Sequence, residues 1–99
     1  MLKPMTKLLT ALRAKRLGPT IQNHLVNGKT TLRWHVDDDD DRYVEATDSL
    51  HSPAFVLHRR DKMEAIITVV DKIPDAVGWI DTQLSLLHNF PKQITKDKQ

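Results

Sequence analysis

Cysteine is absent from this chain of 99 residues. That removes disulfides, thiolate metal sites and thiol nucleophiles from consideration, and it suits a cytoplasmic protein. No apolar run approaches the length needed to cross a bilayer. Near the N-terminus the longest one is Leu8-Leu9, too short for the apolar segment of a secretory signal. A basic, acid-poor start is also a feature of organellar transit peptides, but we expect these residues to belong to the domain. The sequence contains no G-x-S-x-G, Walker or S-x-x-K pattern. Its five histidines, His24, His35, His51, His58 and His88, show no H-x-x-x-H spacing, so no metal site and no cofactor are expected.

One absence stands out. Residues 1–36 carry seven lysines and arginines and no acid, and five aspartates then follow without interruption, Asp37 to Asp41. By segment the charge is +7 over residues 1–36, −6 over 37–48 and +1 over 49–99, so the modest total of +2 conceals two opposed blocks. A basic block attracts phosphates or acidic proteins, and an acidic block repels them.

With 39% apolar residues, the length allows one domain with one core. We expect a single α+β domain over residues 1–92, followed by a polar tail at 93–99. Met5, Leu8, Leu9 and Leu12 form a stripe at i, i+3, i+4 and i+7, which predicts a helix over 4–17. Pro4 suits its first turn, and Gly18-Pro19 should stop it. A short second helix is expected over Thr20–Val26, with Ile21 and Leu25 facing inward and Asn27-Gly28 closing it.

The period then changes. Leu32, Trp34 and Val36 alternate with Arg33 and His35, predicting a strand over 30–36. Asp37–Asp41 is the connection, 42–47 the returning strand and 54–58 a third strand, giving a three-stranded antiparallel meander. Met63, Ile66, Ile67 and Val70 restore a helical stripe, with Asp61 as N-cap and a break at Pro74. Val77, Ile80, Leu84 and Leu87 mark a last helix to about Asn89. Trp34 and Trp79 read as core or interface anchors. Trp79, Leu86 and Phe90 widen the apolar face of the last helix beyond what three strands can cover, so a helix-mediated homodimer is expected.

The first functional expectation is a non-catalytic binding or regulatory protein that engages nucleic acid. Its cations would be Lys7, Arg13, Lys15, Arg16, Lys29 and Arg33, joined by the His58–Lys62 cluster, with Arg59, Arg60 and Lys62, at the start of the third helix, where the helix dipole would assist. Residues 10–29 fit a helix-turn-helix poorly, because His24 and Asn27 stand where apolar residues are needed. An α-β-β-β-α order is shared with the double-stranded-RNA-binding domain, but the Gly-rich lead-in and Lys-Lys pair of that domain are missing.

An alternative is a protein-binding inhibitor or adaptor that presents Asp37, Asp38, Asp39, Asp40 and Asp41 as an acidic hairpin tip to a basic partner. The same run lacks EF-hand spacing, since Arg42 and Asp48 occupy the positions that need glycine and glutamate. A third possibility is a small ribonuclease-like enzyme using a basic patch with a His and a Tyr, such as His35 and Tyr43.

Overall fold

The computed structural model describes residues 4–24, 30–36, 41–48, 54–62 and 64–89; the side chains of Ile21, Asn23 and His24 are not among what it describes. Its elements are α1 (Pro4–Ala14), β1 (Ile21–His24), β2 (Thr30–His35), β3 (Arg42–Asp48), β4 (Phe55–Asp61), β5 (Glu64–Val70) and α2 (Ile73–Asn89). The strands form one antiparallel sheet in the order β1-β2-β3-β4-β5. The α+β class stands, with five strands among the described residues where three were expected and one helix after them where two were expected.

Both helices cover the same face of the sheet. Met5, Leu8 and Leu12 of α1 and Ala76, Val77, Ile80, Leu84 and Leu87 of α2 are buried against Leu32, Trp34, Val36, Val44, Ala46, Phe55 and Leu57. These strand residues alternate because successive side chains of a strand point to opposite faces. The Trp34 indole donates Nε1–H to the Leu17 carbonyl at 2.8 Å, which pins the segment after α1 onto β2.

Two predicted helices are strands. For Thr20–Val26, the inward pair Ile21 and Leu25 is four residues apart, a spacing that shares a face in a strand as well as in a helix. Residues 21–24 add a β-strand to β2 instead; Leu25 and Asn27-Gly28 lie outside the described residues. Residues 64–70 form β5, although Ile66, Ile67 and Val70 fit a helical stripe. Residues 66–70 are Ile, Ile, Thr, Val and Val, an unbroken β-branched run that loses side-chain freedom in a helix and suits a pleated sheet. In such a run apolar residues fit any period. The expected N-cap, Asp61, is therefore the last residue of β4, and Pro74 falls in the first turn of α2, where its missing N–H costs nothing.

Helix α1 also ends earlier than predicted. The Leu17 N–H donates to the Leu12 carbonyl at 2.8 Å and the Arg16 N–H to the Arg13 carbonyl at 3.0 Å. This is a Schellman closure, with Arg16 at φ 61° in the left-handed position usually held by glycine. Gly18, the expected stop, lies two residues beyond. An L-residue there is strained by about 1 kcal/mol. Arg16→Gly is therefore expected to raise the thermal midpoint by a few degrees, up to about 1 kcal/mol of stability. A fall in the midpoint would mean that the Arg16 side chain contributes more than its backbone strain costs.

One buried charge belongs to the frame. Arg42 opens β3 and is fully buried. Its Nε donates to Asp61 Oδ1 at 3.1 Å, and its Nη2 donates to the Leu87 carbonyl at 2.6 Å. That carbonyl is in the last turn of α2, where helix carbonyls lack partners within the helix and the dipole favours a cation. Arg42 thus ties three elements, β3, β4 and α2, at one end of the molecule.

Candidate functional site

The helices leave one face of the sheet open, and strand register fixes what stands on it. Arg33, Glu45, His58 and Ile67 form one cross-strand row, and His35, Tyr43, Arg60 and Ala65 form the next. Thr31, Thr47, Val56 and Val69 form a third. The first two rows place three rings and two guanidinium groups over β2, β3 and β4.

These groups touch one another. The Tyr43 ring lies 6.2 Å from the His35 ring and 5.5 Å from the His58 ring, the latter edge-on at 86°. The Arg33 Cζ sits 4.1 Å from the Tyr43 ring centroid, within cation–π range. Arg33 also donates from Nε and Nη2 to Glu45 Oε2, at 2.8 and 2.5 Å. Its side chain remains 34% exposed, so the guanidinium is held over Tyr43 yet open to solvent. Arg60 is exposed, with its Nε donating to the Lys62 carbonyl at 3.0 Å. The result is a polar aromatic platform: a central tyrosine flanked by two imidazoles at steep angles to it, with two guanidinium groups beside them.

The cations nominated from sequence are divided by the fold. Arg33 and Arg60 meet on the platform, and Lys62 follows in the adjacent β4–β5 connection. Lys7 and Arg13 are exposed on α1, and Lys15 and Arg16 are exposed just after it, all in the helical layer on the opposite side of the sheet. Arg59 points away from its neighbour Arg60, as strand alternation requires. Its side chain is only 12% exposed; Nη2 lies 3.7 Å from Glu64, and Nε is buried with no hydrogen-bond partner among the described residues. The sequence reading grouped Arg59 and Arg60 at a helix start, whereas both are strand residues and no helix dipole acts on them. Lys29 and Asp37–Asp40 lie outside the described residues; Asp41 is exposed, and its carbonyl accepts the Lys62 N–H at 2.8 Å.

The sequence nominates His58 within the basic 58–62 cluster, whereas nothing in it singles out Glu45 as part of a site. The register of β3 against β4 supplies the grouping, setting Tyr43 against Arg60 and Glu45 against His58.

A separate cleft of about 410 Å³ opens where α2 passes the segment after α1, lined among others by Arg16, Trp34, Asp81, Ser85 and His88. Asp81, Ser85 and His88 share one side of α2 at i, i+4 and i+7 spacing. Among the described residues none of their side chains hydrogen-bonds to another, the contact that a nucleophile and its base would need. No group of three His, Asp or Glu able to hold a metal ion occurs among the described residues, and no described helix is long and apolar enough to cross a membrane.

The fold and the platform define an α+β protein with two helices on one face of an antiparallel meander and a polar aromatic surface on the other. Compared with known protein families, characterised proteins and solved structures, the chain matches none.

Proposed function

We propose that this protein is a non-catalytic nucleic-acid-binding protein, and that it holds single-stranded RNA or DNA on the open face of its sheet. The observation that carries the reading is the Tyr43 ring, flanked by His35 and His58, with the Arg33 guanidinium over one of its faces. Unpaired bases stack on aromatic and guanidinium planes, and nearby cations meet the phosphates. A duplex hides its bases and gains little from a flat ring surface. The exposed cations of α1 face the other way, so one strand of nucleic acid cannot use both sets.

That division makes the salt dependence diagnostic. A single strand that neutralises its phosphates with Arg33, Arg60 and Lys62 should lose roughly twentyfold in affinity between about 50 and 200 mM salt. Seven cations acting together, with Lys7, Arg13, Lys15 and Arg16 added, would lose roughly a thousandfold. The test is fluorescence anisotropy of labelled mixed-sequence single strands, with a duplex of the same length as control. Tighter binding of the single strand with the shallow slope is expected. No single-strand binding at the lower salt would sink the reading, and preferential duplex binding with the steep slope would move the interface to α1.

One observation favours a second reading, a ribonuclease. His35, His58 and Glu45 share the platform with Arg33 and Arg60, and such groups suffice for general acid–base attack of a 2′-hydroxyl on its own phosphate. Running the RNA from the same titration on a denaturing gel decides between them: intact RNA supports binding alone, and shortened RNA assigns cleavage. The acidic-tip alternative, with Asp37–Asp41 docking on a basic protein, rests on charge density alone.

A further inference from the structure

We propose that β5 is the surface through which two copies of this chain associate, edge to edge, about a two-fold axis at Ile67. This inference does not depend on the nucleic-acid reading.

The two edges of the sheet differ. β1 is four residues long, with the sequence Ile-Gln-Asn-His, short and largely polar. β5 has seven residues, and its interior Ala65–Val70 holds no charge and no proline, the usual devices that blunt an edge strand. Its apolar side chains are in water: Ile67 is 67% exposed, Val69 62% and Ile66 42%. Ile66 points to the helical side and is still exposed, because on β5 only Val70, at the end next to α2, packs against the core.

The backbone is also open. The Lys62 N–H bonds to the Asp41 carbonyl, which sets the alternation along β4: residues 56, 58 and 60 face β3, and 55, 57, 59 and 61 face β5. On β5 the partners of those four, residues 70, 68, 66 and 64, face β4. The N–H and C=O groups of Ala65, Ile67 and Val69 therefore point outward.

A two-fold at Ile67 uses this pattern completely. Ile67 meets Ile67 of the second copy, and Ala65 meets Val69 in both directions. These are hydrogen-bonded pairs in an antiparallel ladder, each exchanging both N–H···O bonds. All three put apolar side chains opposite apolar side chains on the open face, the arrangement that stabilises cross-strand neighbours. On the helical side, Ile66 of the second copy faces Thr68, beside a groove of about 520 Å³ lined by Val70, Pro74, Gly78, Trp79 and Gln83. The Gln83 Oε1 is buried with no hydrogen-bond partner among the described residues. Of the apolar residues that the sequence assigned to a helix-mediated dimer, Trp79 packs against the core, Leu86 is 37% exposed on α2 and Phe90 lies outside the described residues, whereas Ile67 and Val69 of β5 are far more exposed.

The test is sedimentation velocity of the full chain, without nucleic acid, over a roughly hundredfold concentration range. The wild type is expected to sediment as a dimer at the upper end. Ile67→Lys and Ile67→Glu are each expected to be monomeric with an unchanged circular dichroism spectrum, since an exposed position tolerates either charge. An equimolar mixture of the two is expected to restore the dimer, because the axis puts position 67 opposite itself. A wild type monomeric throughout, variants that remain dimeric, or a mixture that stays monomeric would each overturn the proposal.

Discussion

Arg42→Ala is expected to cost about 3–5 kcal/mol, the range for breaking a buried ion pair by removing one partner. Against the 5–15 kcal/mol that holds a small domain together, this is a large share, and the thermal midpoint should fall by at least about 12 °C. The Arg42 side chain is 1% exposed and that of Asp61 31%. Truncation removes the guanidinium, leaves a cavity under the end of α2, and strips the Leu87 carbonyl of its donor. Asp61 loses less, because water can reach it. Arg42→Met separates these effects: it keeps most of the stem volume and removes only the donors, so its cost should be about half. The measurement is chemical denaturation followed by circular dichroism. A loss below about 1 kcal/mol for Arg42→Ala would show that the end of α2 is held by its apolar face alone.

The second large effect is on binding. Tyr43→Ala is expected to weaken single-strand affinity by about 5- to 100-fold, the range for removing one stacked base contact. Tyr43 stands on the central strand and touches His35, His58 and Arg33, so its removal also frees the guanidinium that it orders. Tyr43→Phe should bind nearly as well as the wild type, since the ring face is kept. The Arg13→Ala/Lys15→Ala pair, on the helical side, should change affinity less than threefold at about 200 mM salt, where long-range fields are screened. If Phe and Ala at position 43 behave alike and the α1 pair abolishes binding, stacking on the sheet has no part in it. Folding is the control, because Tyr43 is only half-buried and outside the core.

These two residues mark what a one-dimensional reading reaches. Tyr43 is legible: it sits in an alternating segment, and with His35 it forms a candidate acid–base pair. Arg42 next to it was legible only as a strand residue, because the reason for its burial is a carbonyl 45 positions later. The same limit governs Arg59 and Arg60. Adjacent cations look like one cluster until a strand turns one toward Glu64 beneath the sheet and leaves the other in water.

The sequence by itself determined the α1 stripe, the alternation of β2 and β3, the last helix to Asn89 and the α+β class. Each rests on contacts between near neighbours, and a local period records those. It did not determine β1 or β5. The Ile66–Val70 run satisfies helical and extended spacing alike, and it becomes a strand because β4 offers it a complete ladder of hydrogen-bonding partners. Only the tertiary structure decided which cations share a surface, that the rings of His35, Tyr43 and His58 meet, and that the unprotected apolar edge is a strand. The physical reason is the same in each case: a strand takes its partners from other strands, and the face on which a side chain lands depends on a register that no single segment contains.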